Sequence, residues 1–152
     1  MIVKAGDFTN SLVIELLQQH LAEMHVNSPP GSVYALDYLS LQETNIDFWT
    51  VWEGDSLMGC GALKELSNQQ GEIKSMRTQK EHLRKGVAAH LLEYILRVAK
   101  QRNYKRVSLE TGSGPAFEAA ISLYKRYGFE FGEPFAGYDK SEFNQFLHYS
   151  FE

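Results

Sequence analysis

The hydrophobic pattern of this chain changes its period at Gly86, and this change constrains the fold more than any other feature. The segment before it, Glu72 to Thr78, alternates as a β-strand does. After Gly86 the apolar residues recur at helical spacing, at Val87, Leu91, Tyr94, Ile95 and Val98. A strand that leads through a loop into a helix leaves the first backbone N–H groups of that helix without partners.

Those N–H groups and the helix dipole favour an anion such as a phosphate or diphosphate. Gly86 has no side chain to block a ligand, Ala88 keeps the next turn small, and Arg84 and Lys85 add positive charge at the rim. Neither the P-loop pattern G-x-x-x-x-G-K-S/T nor the Rossmann pattern G-x-G-x-x-G fits the chain. The residues alone leave two interpretations open, an anion site and an ordinary helix start with flanking charges.

The remaining pattern predicts a mixed α/β chain. A short strand, Ile2–Ala5, precedes a helix that Thr9, Asn10 or Ser11 could cap. Gly54 and Asp55 join two β-rich runs at hairpin spacing. The predicted order is strand, two helices, three strands, helix, strand, helix and two strands. Beyond Ile2–Ala5, the predicted strands are Ile46–Glu53, Leu57–Leu66, Glu72–Thr78, Arg106–Glu110, one beginning at Phe129, and Gln145–Phe151; the later helices are Val33–Leu41, one from Gly86 and one after Pro115.

Length and composition limit the possible classes of protein. The chain has 152 residues, 43% of them hydrophobic, which suits a single domain over residues 1–152. A net charge of -4 argues against partners that attract basic proteins, namely nucleic acid and anionic membrane. Cys60 is the only cysteine, so no disulfide can form within the chain. With no secretory leader and no long apolar run, we expect a cytoplasmic protein without a membrane span.

Three segments resemble the GNAT superfamily of N-acetyltransferases, in that family's order and spacing. The segment LRKGVA, Leu83 to Ala88, is similar to the diphosphate-binding signature R/Q-x-x-G-x-G/A, with Leu83 in place of arginine or glutamine. GEIKSMRT resembles the central strand of the family, and AAISLYKRYGF resembles the second signature, A-x-x-L-Y-x-x-x-G-F. The asparagine often found before the second signature helix is absent, with Ser113 nearby. SPPGSVYALD, GALKEL and GEPFAGY resemble a bacterial subgroup of small acetyltransferases.

This resemblance implies the GNAT fold, an α/β (α+β) fold with a mixed, mostly antiparallel, twisted sheet of about six or seven strands flanked by about four helices. It implies acetyl-CoA as cosubstrate and no metal. The implied coenzyme-binding residues are Leu83, Arg84, Lys85, Gly86, Val87 and Ala88 at the diphosphate, and Met76, Arg77 and Thr78 along the pantetheine arm. A backbone N–H near Met76 would stabilise the oxyanion.

Two residues are candidates for proton transfer. Tyr124 matches the tyrosine that many members of the family use to protonate the departing thiolate. A tyrosine in the core is the alternative. Glu72 matches the catalytic glutamate of histone-type members in its separation from Gly86, and strand alternation predicts that Glu72, Lys74 and Met76 share a face. Its alternative is an ion pair with Lys74 or Arg77.

The cysteine and two of the histidines are more consistent with structural or pocket-lining roles than with catalysis or metal binding. Cys60 could carry an acyl group, but no histidine lies near it in sequence and a lone strand cysteine is usually a small core residue. His20 and His25 do not have metal-ligand spacing, and they suit the wall of an acceptor pocket, or a solvated or capping role, better than a metal site.

The predicted function is N-acetyl transfer from acetyl-CoA to a small amine or amino acid by direct attack in a ternary complex. The family places the acceptor against the N-terminal helices, where Met24, Ser32, Tyr34 and Asp37 are possible contacts. The alternatives are a non-catalytic acyl-CoA-binding module that regulates a partner and a purely structural domain. Sheet edges near the C-terminus could pair two chains in a homodimer.

Overall fold

A single sheet of seven strands organises the computed structural model, which describes residues 1–31 and 39–151. The strand order across the sheet is β1-β2-β3-β4-β5-β7-β6. The strands are β1 (Ile2–Ala5), β2 (Ile46–Glu53), β3 (Ser56–Ser67), β4 (Gln70–Thr78), β5 (Arg106–Thr111), β6 (Glu130–Phe131) and β7 (Gln145–Ser150). The α-helices are α1 (Ser11–Asn27), α2 (Val87–Gln101) and α3 (Glu118–Arg126).

The pairing of the strands confirms a mixed, mostly antiparallel sheet. Among the strands of the described residues, only β4 and β5 pair in parallel, and α2 forms the crossover between them. Three α-helices are present in residues 1–31 and 39–151, one fewer than predicted. Most of the predicted helix Val33–Leu41 falls in residues 32–38, outside the described part of the chain, and a 3-10 turn, Ser40–Gln42, follows it.

The sheet has an apolar core on each face. On one face, the apolar stripe of α1 packs on β2 and β3, with Val13, Leu16, Leu17, Phe48 and Ala62 buried. On the other face, α2 and α3 cover the centre of the sheet, with Leu63, Ile73, Leu91, Leu92, Ile95, Val107 and Leu123 buried. The core under α2 and α3 includes Ile73 of β4 and Val107 and Leu109 of β5, so these two strands are held in place against α2 and α3.

The first two helices begin in different ways. Asn10 caps α1 with its side chain, which accepts a hydrogen bond from the backbone N–H of Leu12 at 2.9 Å. No side chain caps α2, which follows Gly86 in a left-handed conformation. None of the helices in the described residues is both long and apolar enough to cross a membrane. The uncapped start of α2 leads directly to the candidate site.

Candidate active site

A cleft opens where β4 and β5 stop pairing. The two strands pair at only three positions, Gln70–Arg106, Gly71–Val107 and Glu72–Ser108. Beyond these pairs, Ile73 to Thr78 and Leu109 to Thr111 line a cleft of about 460 Å³, which α1, α2 and α3 also border. This volume lies in the roughly 300–1,000 Å³ range of small-molecule sites. The sheet therefore opens in its middle, at the carboxyl ends of two parallel strands.

A β-bulge at Ser75 shapes the β4 wall of the cleft. The register between β3 and β4 shifts there, between the pairs Ala62–Lys74 and Cys60–Arg77. Ser75 has a φ of +56°, in the left-handed region that non-glycine residues rarely adopt. Such strain persists only where the surrounding structure enforces it, and it often marks a functional site.

The bulge corrects one expectation from the sequence. Glu72 and Lys74 share a face of β4, as their ion pair at 3.2 Å shows. Met76 lies on the opposite face, where a Cβ added to Gly61 would lie 2.4 Å from its sulfur and 2.9 Å from Leu91 of α2. The prediction that Met76 shares the face of Glu72 and Lys74 is therefore wrong, because the inserted residue reverses the alternation of side chains after it.

The N-terminus of α2 forms one end of the cleft. Gly86 has a φ of +81°, and a Cβ placed there would meet nothing within 4 Å. Arg84 has a φ of +63°, and residues 84–86 are exposed. An open approach to an uncapped helix start, with two cations at the rim, fits a diphosphate. Of the six residues expected at this group, Leu83, Val87 and Ala88 line the cleft itself.

The other expected coenzyme residues lie on β4. Met76, Arg77 and Thr78 all line the cleft, between the bulge and the loop that leads to α2. In the described residues, the Arg77 side chain pairs with Glu23 of α1 at 2.5 Å. The side chain of Arg77 therefore points to the α1 side of the cleft.

Tyr124 lies on α3, and it also lines the cleft. It is buried, with its ring edge-on to Phe129 at 5.4 Å between centroids. Burial raises the pKa of its phenol above the ordinary value of 10, so the group stays protonated near neutral pH. Tyr124 is therefore both a core residue, as the alternative predicted, and part of the cleft wall. Its phenol keeps a proton that it could donate there.

Glu72 is held in a polar cluster behind the cleft wall. Its side chain is buried and accepts hydrogen bonds from Lys74 at 3.2 Å and from the Tyr138 hydroxyl at 2.5 Å. Lys74 also donates to Tyr138 at 2.7 Å. Lys74 lines the cleft, whereas Glu72 does not. The predicted ion pair is present, and Glu72 could reach a substrate only through its partners or a change in side-chain position.

Glu110 is a carboxylate in the cleft that the sequence did not single out. It lies on β5 beyond the last pair with β4, and its carboxylate accepts a hydrogen bond from Asn144 at 2.8 Å. Its other oxygen has no hydrogen-bond partner in the described part of the chain. Burial raises its pKa to about 7, against the opposing effects of Lys74 and Asn144. Such a group can accept a proton near neutral pH.

Comparison with known proteins decides the family. The profile described as Acetyltransferase (GNAT) family matches residues 14–129. The chain belongs to the GNAT family of acetyltransferases. It is 49% identical to the uncharacterized N-acetyltransferase YsnE of Bacillus subtilis (strain 168), over 97% of each chain. It is 45% identical to the uncharacterized N-acetyltransferase YedL of Escherichia coli (strain K12), over 95% of this chain and 91% of that one.

Solved structures share the fold. A GNAT family acetyltransferase from Elizabethkingia anophelis with acetyl-CoA bound superposes with a TM-score of 0.72, at 15% identity, over 99% of this chain and 97% of that one. The fold and the acetyltransferase class expected from the sequence are confirmed. Membership of the family argues against a purely structural domain, and the activity screen proposed below tests the non-catalytic module.

The GNAT domain packs α1 against the side of the cleft away from α2. His20, Glu23, Met24 and Asn27 of α1 line this side, so the expected contact Met24 is there. Burial lowers the pKa of His20 to about 4, with a further contribution from Arg77, so its imidazole is neutral near pH 7. Three other expected acceptor contacts, Ser32, Tyr34 and Asp37, lie outside the described residues.

Cys60 of this GNAT chain lines the cleft, but its thiol is not set up as a nucleophile. Its thiol donates to the Ser75 carbonyl at 3.3 Å, and burial raises its pKa to about 12. A thiol that stays protonated at neutral pH is a poor nucleophile. In residues 1–31 and 39–151, no group of three or more His, Cys, Asp or Glu side chains could hold a metal ion.

Proposed function

We propose that this enzyme transfers the acetyl group of acetyl-CoA to the amine of a small molecule by direct attack while both are bound. One observation carries this proposal: a single cleft runs from the α2 N-terminus, past Tyr124, to the α1 side of the sheet. The coenzyme would enter at the α2 end, with its diphosphate on the backbone N–H groups near Gly86. The acceptor would enter from the α1 side.

The reaction needs proton transfer at two places. The amine nitrogen attacks the thioester carbonyl carbon, the C–N bond forms and the C–S bond breaks. The attacking nitrogen gives a proton to a base, and the departing sulfur takes one from the Tyr124 hydroxyl. A lysine-like amine has a reference pKa of about 10.4, so a base is needed near neutral pH. Tyr124 is the candidate for the acid because it lines the cleft and its phenol keeps its proton near neutral pH.

Two carboxylates are candidates for the base. Glu72 remains one, with Lys74 or a water as the link to the amine. Glu110 has more favourable geometry, because it lines the cleft, has an oxygen free of protein partners among the described residues, and has a pKa of about 7. Asn144 holds it in place, and the Ser141 hydroxyl donates to Asn144 in turn. We favour Glu110.

The cleft volume supports a small acceptor. About 460 Å³ must hold the thioester end of the coenzyme and the acceptor together. The α1 side offers charged and polar groups, chiefly Glu23, Lys74 and Arg77, which suit a polar amine.

The test is a screen of amines for thiol release from acetyl-CoA, with the acetylated product identified by mass spectrometry. We expect acetyl-CoA to raise the unfolding temperature, and at least one small amine to be acetylated. The proposal would be contradicted if acetyl-CoA did not raise the unfolding temperature and no amine in the panel gave thiol release or an acetylated product.

A further inference from the structure

Three residues that line the cleft each carry a buried side-chain polar atom with no hydrogen-bond partner among the residues that the structure describes. These atoms are the Nδ1 of His20, the Oγ of Ser75 and the Nε of Arg77. His20 and Ser75 are each only 8% exposed, and all three residues line the cleft. They come from different elements, α1 and the bulge region of β4, and they border one cavity.

Buried polar atoms in folded proteins nearly always have hydrogen-bond partners. A buried donor or acceptor without one loses its hydrogen bonds to water and gains none in exchange, which destabilises the fold. One such atom could be incidental. Three residues of this kind around one cleft favour a ligand that reaches them and supplies the missing partners. The strained backbone of Ser75, with its φ of +56°, places one of the three at this point.

The chemistry of the three atoms defines the ligand group. The Arg77 Nε–H can only donate, the Ser75 hydroxyl can donate, and a neutral imidazole can donate from Nδ1. A group with several oxygen lone pairs close together satisfies all three, and a carboxylate offers about four such sites on two oxygens. An amide or ketone has a single carbonyl oxygen, and a hydroxyl would leave donors unmet.

The charges at this end of the cleft also favour an anion. Arg77, which lines the cleft, pairs with Glu23 at 2.5 Å, and Lys80, which is exposed and does not line the cleft, lies 3.6 Å from the same carboxylate. Two cations share the one carboxylate of Glu23, so the positive charge of Arg77 is not fully balanced. Lys74, which also lines the cleft, is balanced by Glu72.

We infer that the acceptor is an amine that also carries a carboxylate, such as an amino acid, and that Arg77, Ser75 and His20 bind this carboxylate. The inference rests on the proposed function and narrows its acceptor. Glu110 lies on the neighbouring strand β5, without an ion-pair partner in the described residues. An amine directed to Glu110 and a carboxylate directed to Arg77 would thus match the charges along the cleft.

The test compares each of the twenty common L-amino acids with its own amide, which keeps the amine and side chain but loses the negative charge. Thiol release from acetyl-CoA gives kcat/KM for each pair. Calorimetric titration into the CoA-bound protein gives the affinities even without turnover. We expect at least one amino acid to be preferred over its amide by about tenfold or more, since a site built for a polar group discriminates strongly against its absence.

Three variants locate the effect. Arg77→Met removes the cation and its donor at similar side-chain length, and Ser75→Ala removes one hydroxyl. We expect the acid-over-amide preference to fall to near unity in the first and by several-fold in the second. Ser28→Ala is the matched control, because Ser28 also has a buried, unpartnered hydroxyl but does not line the cleft. Its preference should equal that of the wild type.

Each outcome decides between the claims. Equal use of acids and amides would overturn the inference and leave the proposed function standing. Acetylation of amines that lack a carboxylate, with no binding of any amino acid, would do the same. Tight binding of an amino acid without turnover would support the subsite and count against the proposed reaction. An acid preference that survives in both Arg77→Met and Ser75→Ala would place the carboxylate elsewhere and overturn the assignment.

Discussion

The two ends of the cleft are built from different parts of the chain. At the α2 end, the proposed coenzyme site is a short contiguous segment from Leu83 to Ala88 with an uncapped helix start, and Gly86 keeps the approach open. At the α1 side, single side chains from distant elements meet, among them His20, Arg77 and Glu110. The first end depends on backbone conformation, and the second depends on which side chains the fold brings together.

This difference separates binding of the coenzyme from choice of the acceptor. Backbone groups are shared by every sequence that adopts the loop, so the coenzyme end can stay constant while the acceptor end changes. Variants of the acceptor end should therefore change turnover but leave the affinity for acetyl-CoA intact. Variants of the coenzyme end should change that affinity first.

The largest expected effect is at the proposed base. Glu110→Gln keeps the contact with Asn144 but cannot accept a proton, so we expect kcat to fall by about a thousandfold. In the wild type, the base must be deprotonated to act, and burial raises its pKa to about 7. Activity should therefore rise with pH through about 7, and this limb should vanish in the variant. Steady-state kinetics across pH 5 to 9 measure both.

Glu72→Gln is the comparison for that result. With Glu110 as base, this variant should lose much less activity and keep the pH limb. The reverse pattern, a large loss in Glu72→Gln and a small one in Glu110→Gln, would assign the base to Glu72 instead.

A somewhat smaller effect is expected at the proposed acid. Tyr124→Phe removes the hydroxyl and keeps the ring that packs on Phe129, so kcat should fall by about a hundredfold while the Kd of acetyl-CoA stays the same. Tyr127→Phe is the matched control on the same helix end, since its hydroxyl bonds Glu93 outside the cleft. A parallel loss of acetyl-CoA affinity in Tyr124→Phe would show that the tyrosine serves binding.

At the coenzyme end we expect a change in affinity. Gly86→Asp places a side chain on a left-handed residue, which costs about 1–2 kcal/mol, and adds a negative charge beside the proposed diphosphate site. Calorimetry should show the Kd of acetyl-CoA rising by about tenfold or more. Gly54→Asp is the control, because Gly54 has a φ of +57° and equally open surroundings, but lies in the β2–β3 turn. An equal change in Kd in both variants would refute the backbone cradle.

The smallest effect is expected at Cys60. Its thiol is buried, with a pKa raised to about 12, so direct attack by the amine does not need it. Cys60→Ala should keep kcat within about twofold, and wild-type protein incubated with acetyl-CoA alone should show no acetylated cysteine by mass spectrometry. Loss of activity with an acetyl-thioester on the wild type would indicate transfer through the enzyme.

The start of α2 and the position of Tyr124 could be predicted from the sequence because their signals are local. The change of period at Gly86 and the LYKRYGF segment each lie within one element and its loop, so their spacing locates α2, α3 and Tyr124. Most predicted strand ends lie within two residues of the observed ones for the same reason, since alternation and turn residues act over short distances.

The acceptor end depends on contacts between distant residues. Asn144 holds Glu110 across 34 positions of sequence, after β5 and β7 have paired. The available signal was a charged residue among apolar ones near the end of a short strand, and alone it does not indicate a site. The bulge at Ser75 has no turn residue to mark it, so strand alternation wrongly placed Met76. Register shifts of one residue are set by the whole sheet.

A crystal structure of the protein with acetyl-CoA would show which end of the cleft holds the coenzyme. We expect the diphosphate oxygens to accept hydrogen bonds from the backbone N–H groups near Gly86. We also expect the thioester to lie between β4 and β5 beside Tyr124, with the α1 side of the cleft left free for the acceptor. A coenzyme bound outside the gap between these strands, or one that fills the space around Arg77 and Glu110, would contradict the proposed coenzyme site.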